Sequence, residues 1–194
     1  MAASPRRRFD RVTAPVPGAG DVLSFWRAAG PERWWTKDDA FDAAIREKFA
    51  GLWQQAAEGR LADWERSDEG TLALVIVLDQ FPRNMFRNDP RAFSTDAMAL
   101  DVAMRALERG VDARTDEDLR QFLYLPFMHS EELVDQERCV ALFAPLGNEN
   151  NTKYAEIHAD IIRRFGRFPH RNPVLGRETT AEEQAFLDSG GFSG

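Results

Sequence analysis

Seven consecutive apolar residues, Leu72 to Leu78, form the longest apolar run in the chain. Such a run suits a strand covered on both faces or a helix buried on nearly all sides. A strand needs a partner for its backbone N–H and C=O groups, and no other segment reads as one. Elsewhere the apolar residues recur at helical spacing: Phe41, Ile45, Phe49, Leu52 and Trp53 share one helix face, and Tyr154, Ile157, Ile161 and Phe165 share another. The expected fold is therefore all-α, with Ser67 to Gln80 a buried helix that Phe81-Pro82 terminates.

Capping and breaking residues set the remaining boundaries. Asp21 is expected to cap a helix Val22–Ala29, stopped by Gly30-Pro31, with Trp34 and Trp35 in the loop beyond. Asp38 or Asp39 opens a helix to Glu58, ended by Gly59. Ser94 or Thr95 caps a helix to Arg109, closed by Gly110, with Met98, Val102 and Leu107 facing inward. Thr115 to Asp118 begins a helix ending near Pro126, and Ser130 caps Glu131–Phe143. Asn151 or Thr152 caps Tyr154–Phe165, and Thr180 starts a short final helix. The count is about eight helices joined by short connections. They form one domain over residues 21–194, preceded by a flexible extension at 1–20.

Composition excludes several roles. A chain of 194 residues that is 43% hydrophobic can bury a sizeable core. No apolar run approaches the roughly 20 residues of a membrane helix. The extension carries Arg6 to Arg8 but lacks the apolar stretch of a secretory signal. The single cysteine, Cys139, permits no internal disulfide and packs as a small hydrophobe, so the expected location is the cytoplasm. A net charge of -7 argues against nucleic-acid binding, although Arg163 to Arg177 hold five Arg and no acid. No phosphate-binding glycine loop and no G-x-S-x-G elbow occur. Three histidines without metal-ligand spacing lead to the expectation of no metal and no cofactor.

The reactive residues collect in four places. Phe81-Pro-Arg-Asn84 and Phe168-Pro-His-Arg-Asn172 echo each other, each placed just after an expected helix end. Pro stops the helix, Phe anchors the loop, and Arg83, Asn84, Arg171 and Asn172 stand at the rim. Local capping of open carbonyls by Arg and Asn explains such loops equally well. Asp79-Gln80 puts an acid at a helix C-terminus, where the dipole disfavours it, and Arg83 one turn on is its candidate partner. His129 precedes Glu131, Asp135 and Arg138, whose spacing gives them one face of the expected helix. A positive helix end would keep His129 neutral, fit to act as a base. His158 borders the Tyr154–Ile161 face, beside the basic loop with Arg167.

The runs Leu78-Asp-Gln-Phe-Pro-Arg-Asn84, Phe122-Leu-Tyr-Leu-Pro-Phe-Met-His-Ser-Glu131, Asp135-Gln-Glu-Arg138 and Arg164-Phe-Gly-Arg-Phe-Pro-His-Arg-Asn172 resemble a bacterial family, domain of unknown function family 924. Val22-Leu-Ser-Phe-Trp26 fits as well, so the resemblance covers roughly residues 20 to 190 in order. It implies antiparallel helix pairs stacked in a tetratricopeptide-repeat-like array, and it carries no activity.

Two functions are expected. One is a cleft for an anionic small molecule, able to serve catalysis: Arg83, Arg167 and Arg171 hold a carboxylate or phosphate, and His129, His170 or Asp79 does acid–base work. Gln80, Asn84, Glu131, Asp135, Arg138, His158 and Asn172 complete its walls. Arg171→Ala should then abolish anion binding at little cost in stability. The other is a repeat-like interaction module whose Arg-rich loop meets an acidic peptide. The first requires Arg83, His129 and Arg171 to converge on an open pocket.

Overall fold

The computed structural model describes residues 16–192. Residues 1–15, and with them Arg6 to Arg8 of the expected extension, lie outside the described residues. Among the described residues every regular element is helical and no strand occurs. Helix α1 spans Ala19–Trp34 and α2 spans Asp39–Ala57. Asp21 is not the cap of α1. It is the third helical residue, and its carboxylate reaches back to accept the Gly18 N–H at 2.8 Å. Gly30, at φ 70 and ψ 174, kinks the helix before Pro31, so the chain bends where expected and one more turn carries it to Trp34. Asp38 caps α2 by accepting from the N–H groups of Ala40 and Phe41.

Trp26 is the hub of the first core. Its fully buried indole has the rings of Trp34, Phe41, Phe81 and Phe122 at 6.1, 5.9, 5.8 and 5.4 Å. These rings come from four separated stretches of chain, and their burial ties the two N-terminal helices to the middle of the chain.

The apolar run is helical and buried, as its lack of a strand partner required. Helix α3 (Asp68–Val75) continues through a π-helical turn (Ile76–Gln80) into α4 (Phe81–Met85). The helix thus passes through Pro82 instead of ending there. Pro82 has no N–H to offer the carbonyl four residues back, Leu78. The Thr95 hydroxyl donates to that carbonyl at 2.6 Å, and Arg83 Nη1 donates to the Asp79 carbonyl at 2.7 Å. The widened π turn makes room for the ring, so a proline that would stop an isolated helix is accommodated by its neighbours. Asp79 consequently stands inside a continuous helix, not at a C-terminus.

Helix α5 (Asp96–Glu108) packs on α3. Two short helices, α6 (Val111–Arg114) and α7 (Glu117–Arg120), lead into a 3-10 turn at Gln121–Leu123 and then α8 (Leu125–His129). Helix α9 (Leu133–Phe143) lies against α8 and α10 (Glu149–Phe165). A 3-10 turn at Pro169–Arg171 precedes α11 (Ala181–Asp188), which Thr180 caps in a reciprocal pair with Glu183. The single helix expected from Thr115 to Pro126 is split by the 3-10 turn at Gln121–Leu123, and Pro126 lies inside α8; two further boundaries differ from expectation. Asn148, not Asn151 or Thr152, caps α10, its side chain accepting the Asn151 N–H at 3.1 Å. Helix α9 starts at Leu133 because the Ser130 side chain and the buried Gln136 amide hold the stretch before it open. Gln136 Nε2 donates to the carbonyls of Met128 and Ser130 at 2.7 and 2.6 Å. His129 therefore closes α8 and does not precede α9.

Candidate functional site

The π turn aims the Asp79 carboxylate inward, where no part of its side chain is exposed. His129, at the end of α8, brings Nδ1 to 2.8 Å from Asp79 Oδ1. Gln80 Nε2 donates to the other oxygen at 2.6 Å, and Arg83 Nη1 lies 3.4 Å from Oδ1. Burial disfavours the Asp79 charge, but His129, Arg83 and the Gln80 amide outweigh it and hold the carboxyl well below the ordinary aspartate value. Burial, with Arg83 behind it, pushes the His129 imidazole below the ordinary histidine value, while Asp79 pulls the other way. At neutral pH this leaves a neutral ring whose Nδ1–H is donated to a buried carboxylate. Nε2 then carries the lone pair. The neutral state comes from burial and a cation, not from the helix dipole that the sequence suggested.

Arg83 and Arg171 converge. Arg83 binds Asp96 through two parallel bonds, Nη1–Oδ1 at 2.8 Å and Nη2–Oδ2 at 2.9 Å. Arg171 Nη1 stands 3.7 Å from the same carboxylate. The Arg171 guanidinium lies between the Phe93 and Phe168 rings, 4.7 and 4.5 Å from their centroids, and its Nη2 donates to the His129 carbonyl at 3.0 Å. Its Nε is buried and finds no hydrogen-bond partner among the described residues. Burial, then the charge of Arg83, lowers its pKa to about 10, so it remains a cation at neutral pH. Asp96 thus serves two guanidinium groups, and Asp79, 3.4 Å from Arg83, supplies a second buried carboxylate beside them.

These groups border a cleft of about 510 Å³, whose wall includes Arg83, Arg87, His129, His158, His170 and Arg171. A second hollow of about 400 Å³ shares Arg83, Arg87, His129 and His158 with it and extends toward Trp35 and Tyr154. His158 donates from Nδ1 to the Tyr154 carbonyl at 2.7 Å, and burial drives its pKa to about 3. His170 is held at about 4 by burial and then by Arg171. All three histidines are thus neutral at pH 7. Among the described residues no group of three or more His, Cys, Asp or Glu is placed to hold a metal ion.

The other predicted residues divide. Gln80 and Asn84 line the Trp35 end of the cleft, with Asn84 Nδ2 donating to Asp42 at 2.7 Å. Glu131 and Asp135 border an adjoining depression, where each has an internal partner. Glu131 binds Arg177 at 2.7 and 3.0 Å and accepts the Phe168 N–H at 2.8 Å, while Asp135 accepts from the Ser130 hydroxyl at 2.6 Å. Glu131 lies before α9, so the common helix face expected for Glu131, Asp135 and Arg138 does not form. Arg138 lies over the Phe127 ring, 5.2 Å from its centroid, away from the cleft. Arg167 is committed to Glu183 at 2.6 and 2.9 Å, and buried Asn172 donates to Glu183 at 3.2 Å; both face α11. The second Phe-Pro loop therefore contributes His170 and Arg171 to the cleft, while Arg167 and Asn172 fasten it.

Asp96, Arg87, Asp42 and Lys37 were not foreseen. Arg87 lies in the turn just after α4 and carries no helix-face signal. It forms a close forked pair with buried Asp42. Asp96 is the first residue of α5, and only the fold carries it to Arg83.

A family model described as bacterial protein of unknown function (DUF924) matches residues 22–191. A solved structure of a protein of unknown function from Agrobacterium tumefaciens is 46% identical, covering 88% of this chain and 97% of that one, with a TM-score of 0.86. No curated protein matches the chain.

Proposed function

The chain belongs to the bacterial family of unknown function DUF924, and we propose that this member binds an anionic small molecule in the Arg83–His129–Arg171 cleft, with His129 as its acid–base group. The observation that carries this reading is the Asp79–His129 contact of 2.8 Å beneath a cleft wall that includes both arginines. Asp79 accepts the Nδ1–H hydrogen bond and stabilises the imidazolium formed when Nε2 takes up a proton. Arg171, on the cleft wall, supplies positive charge for a carboxylate or phosphate. A purely structural cluster would have no need of a cleft beside the two arginines.

Titration calorimetry with methylphosphonate, a small stable dianion, tests the binding part. Binding by the wild type and its loss in Arg171→Ala support the reading, provided the variant's circular dichroism is native. Equal or absent binding in both proteins overturns it. For the acid–base part, a turnover screen over anionic esters and amides should find an activity that His129→Gln removes and His170→Gln keeps. Turnover retained by His129→Gln overturns that assignment.

The second reading is an interaction module for an acidic peptide, with the helix-pair array of tetratricopeptide type. Trp35 and Tyr154, 53% and 44% exposed, stand at one end of the same cleft as apolar anchors. The buried acid–base pair has no use in that reading, which is why the small-molecule site is preferred.

A further inference from the structure

The two hollows that meet at Arg83 and His129 differ in chemistry, and the difference describes a ligand. At one end stand Arg171, His170 and Lys37, on a wall that carries no acid. At the other stand the rings of Trp35 and Tyr154 with the amides of Gln80 and Asn84. Those two amides are oriented without ambiguity. Each directs its nitrogen at a carboxylate, Gln80 to Asp79 and Asn84 to Asp42, and a carboxylate can only accept. The side-chain carbonyl oxygen of each is left as an acceptor, and neither meets a protein donor among the described residues. Trp35 stacks one face on Phe122, at 5.8 Å and 14°, and is still half exposed. Its indole is thus pre-set by packing and able to cover a second flat group.

We infer that the ligand is an anion built on a planar aromatic ring that carries N–H donors: a phosphate or carboxylate at the Arg171 end, and an amino-bearing ring between Trp35 and Tyr154 facing the Gln80 and Asn84 oxygens. This deepens the proposed function and rests on it, since the anionic end is the same. The ring end is an independent feature of the cleft. Simple anion binding would need only Arg83 and Arg171, and a peptide groove would not need two acceptor oxygens fixed by buried acids. His129, common to both hollows, faces the bond or atom that joins ring to anion.

Three phosphonates of increasing complexity test this, chosen because a C–P bond resists hydrolysis: methylphosphonate, phenylphosphonate and 4-aminophenylphosphonate, titrated calorimetrically at about pH 8. Phenylphosphonate should bind about tenfold more tightly than methylphosphonate through stacking. The amino group should add about threefold to tenfold through its donors. Trp35→Ala and, separately, Tyr154→Ala should erase the ring advantage and leave methylphosphonate binding as it was. Two sites on separate segments, one just after α1 and one in α10, guard against a single misfolded variant. If methylphosphonate binds but the ring adds nothing, or the amino group adds nothing to the ring, this inference fails while the anion site stands. If none of the three binds, the anion site fails as well.

Discussion

His129 Nδ1 lies 2.8 Å from Asp79 Oδ1, across fifty positions of sequence, and the carboxylate it meets is wholly buried. The pair depends on two local departures from ideal helix: the π turn that rotates Asp79 inward, and the end of α8 that leaves His129 at a helix terminus. Asp79→Asn removes the charge that raises the His129 pKa, so the imidazole should titrate lower still. Histidine NMR titration of the two proteins checks the direction. An unchanged or higher value in the variant contradicts the assignment. Any turnover found in the cleft should fall about 10²- to 10⁴-fold in His129→Gln.

Thr95 supplies the hydrogen bond that Pro82 cannot. Thr95→Val keeps the shape and removes the donor to the Leu78 carbonyl, in a residue that is 2% exposed. The expected cost is about 1–3 kcal/mol in urea denaturation. Pro82→Ala, which restores an N–H four residues beyond Leu78, should recover part of that loss in the double variant. Strict additivity of the two changes would count against the link.

Arg171→Ala should cost stability, contrary to what its place in a loop suggests. The side chain is 8% exposed and filled in between Phe93 and Phe168. Loss of the cation–π contacts and the cavity left behind predict a destabilisation of about 1–3 kcal/mol. A stability change near zero would show that the rings close over the gap or were never in contact.

Acid should weaken the fold before ordinary carboxylates titrate. His158 is held at about 3 and His170 at about 4, both below the unfolded histidine value. The unfolded chain therefore binds protons that the folded one refuses, and stability falls as pH drops below about 6.5 toward those values. Asp79, held below the ordinary aspartate value, adds its own loss only below the unfolded carboxylate value near 4. Thermal melts between pH 7 and 4.5 should show a falling midpoint. His158→Phe, which preserves the ring between Phe168 and Phe192, should flatten the slope.

Glu131→Gln should loosen the second Phe-Pro loop without touching a ligand. Glu131 holds that loop through Arg177 and the Phe168 N–H. The expected result is faster proteolysis between residues 166 and 180 and about tenfold weaker methylphosphonate binding, about 1.4 kcal/mol. Weaker binding with unchanged proteolysis would return Glu131 to the ligand itself.

The amino-acid order alone determined what short-range physics can decide. Helical spacing and the lack of a second strand-like run made Leu72 to Leu78 a helix, because a strand cannot leave its backbone groups unpaired. Asp38 and Thr180 announced helix starts, since their oxygens accept the first free N–H groups. The paired Phe-Pro segments also marked the two places from which Arg83 and Arg171 reach one cleft. Tertiary structure decided the rest. Pro82 breaks a helix only when nothing else satisfies the Leu78 carbonyl, and Thr95 is brought there by the fold. That single contact changes the setting of Asp79, which stands inside a continuous helix and not at its end. Asp96, the carboxylate between the two arginines, carries no sequence mark beyond its place at a helix start. Its role exists because the fold sets α5 beside Arg83 and Arg171, and buried like charges require an acid between them.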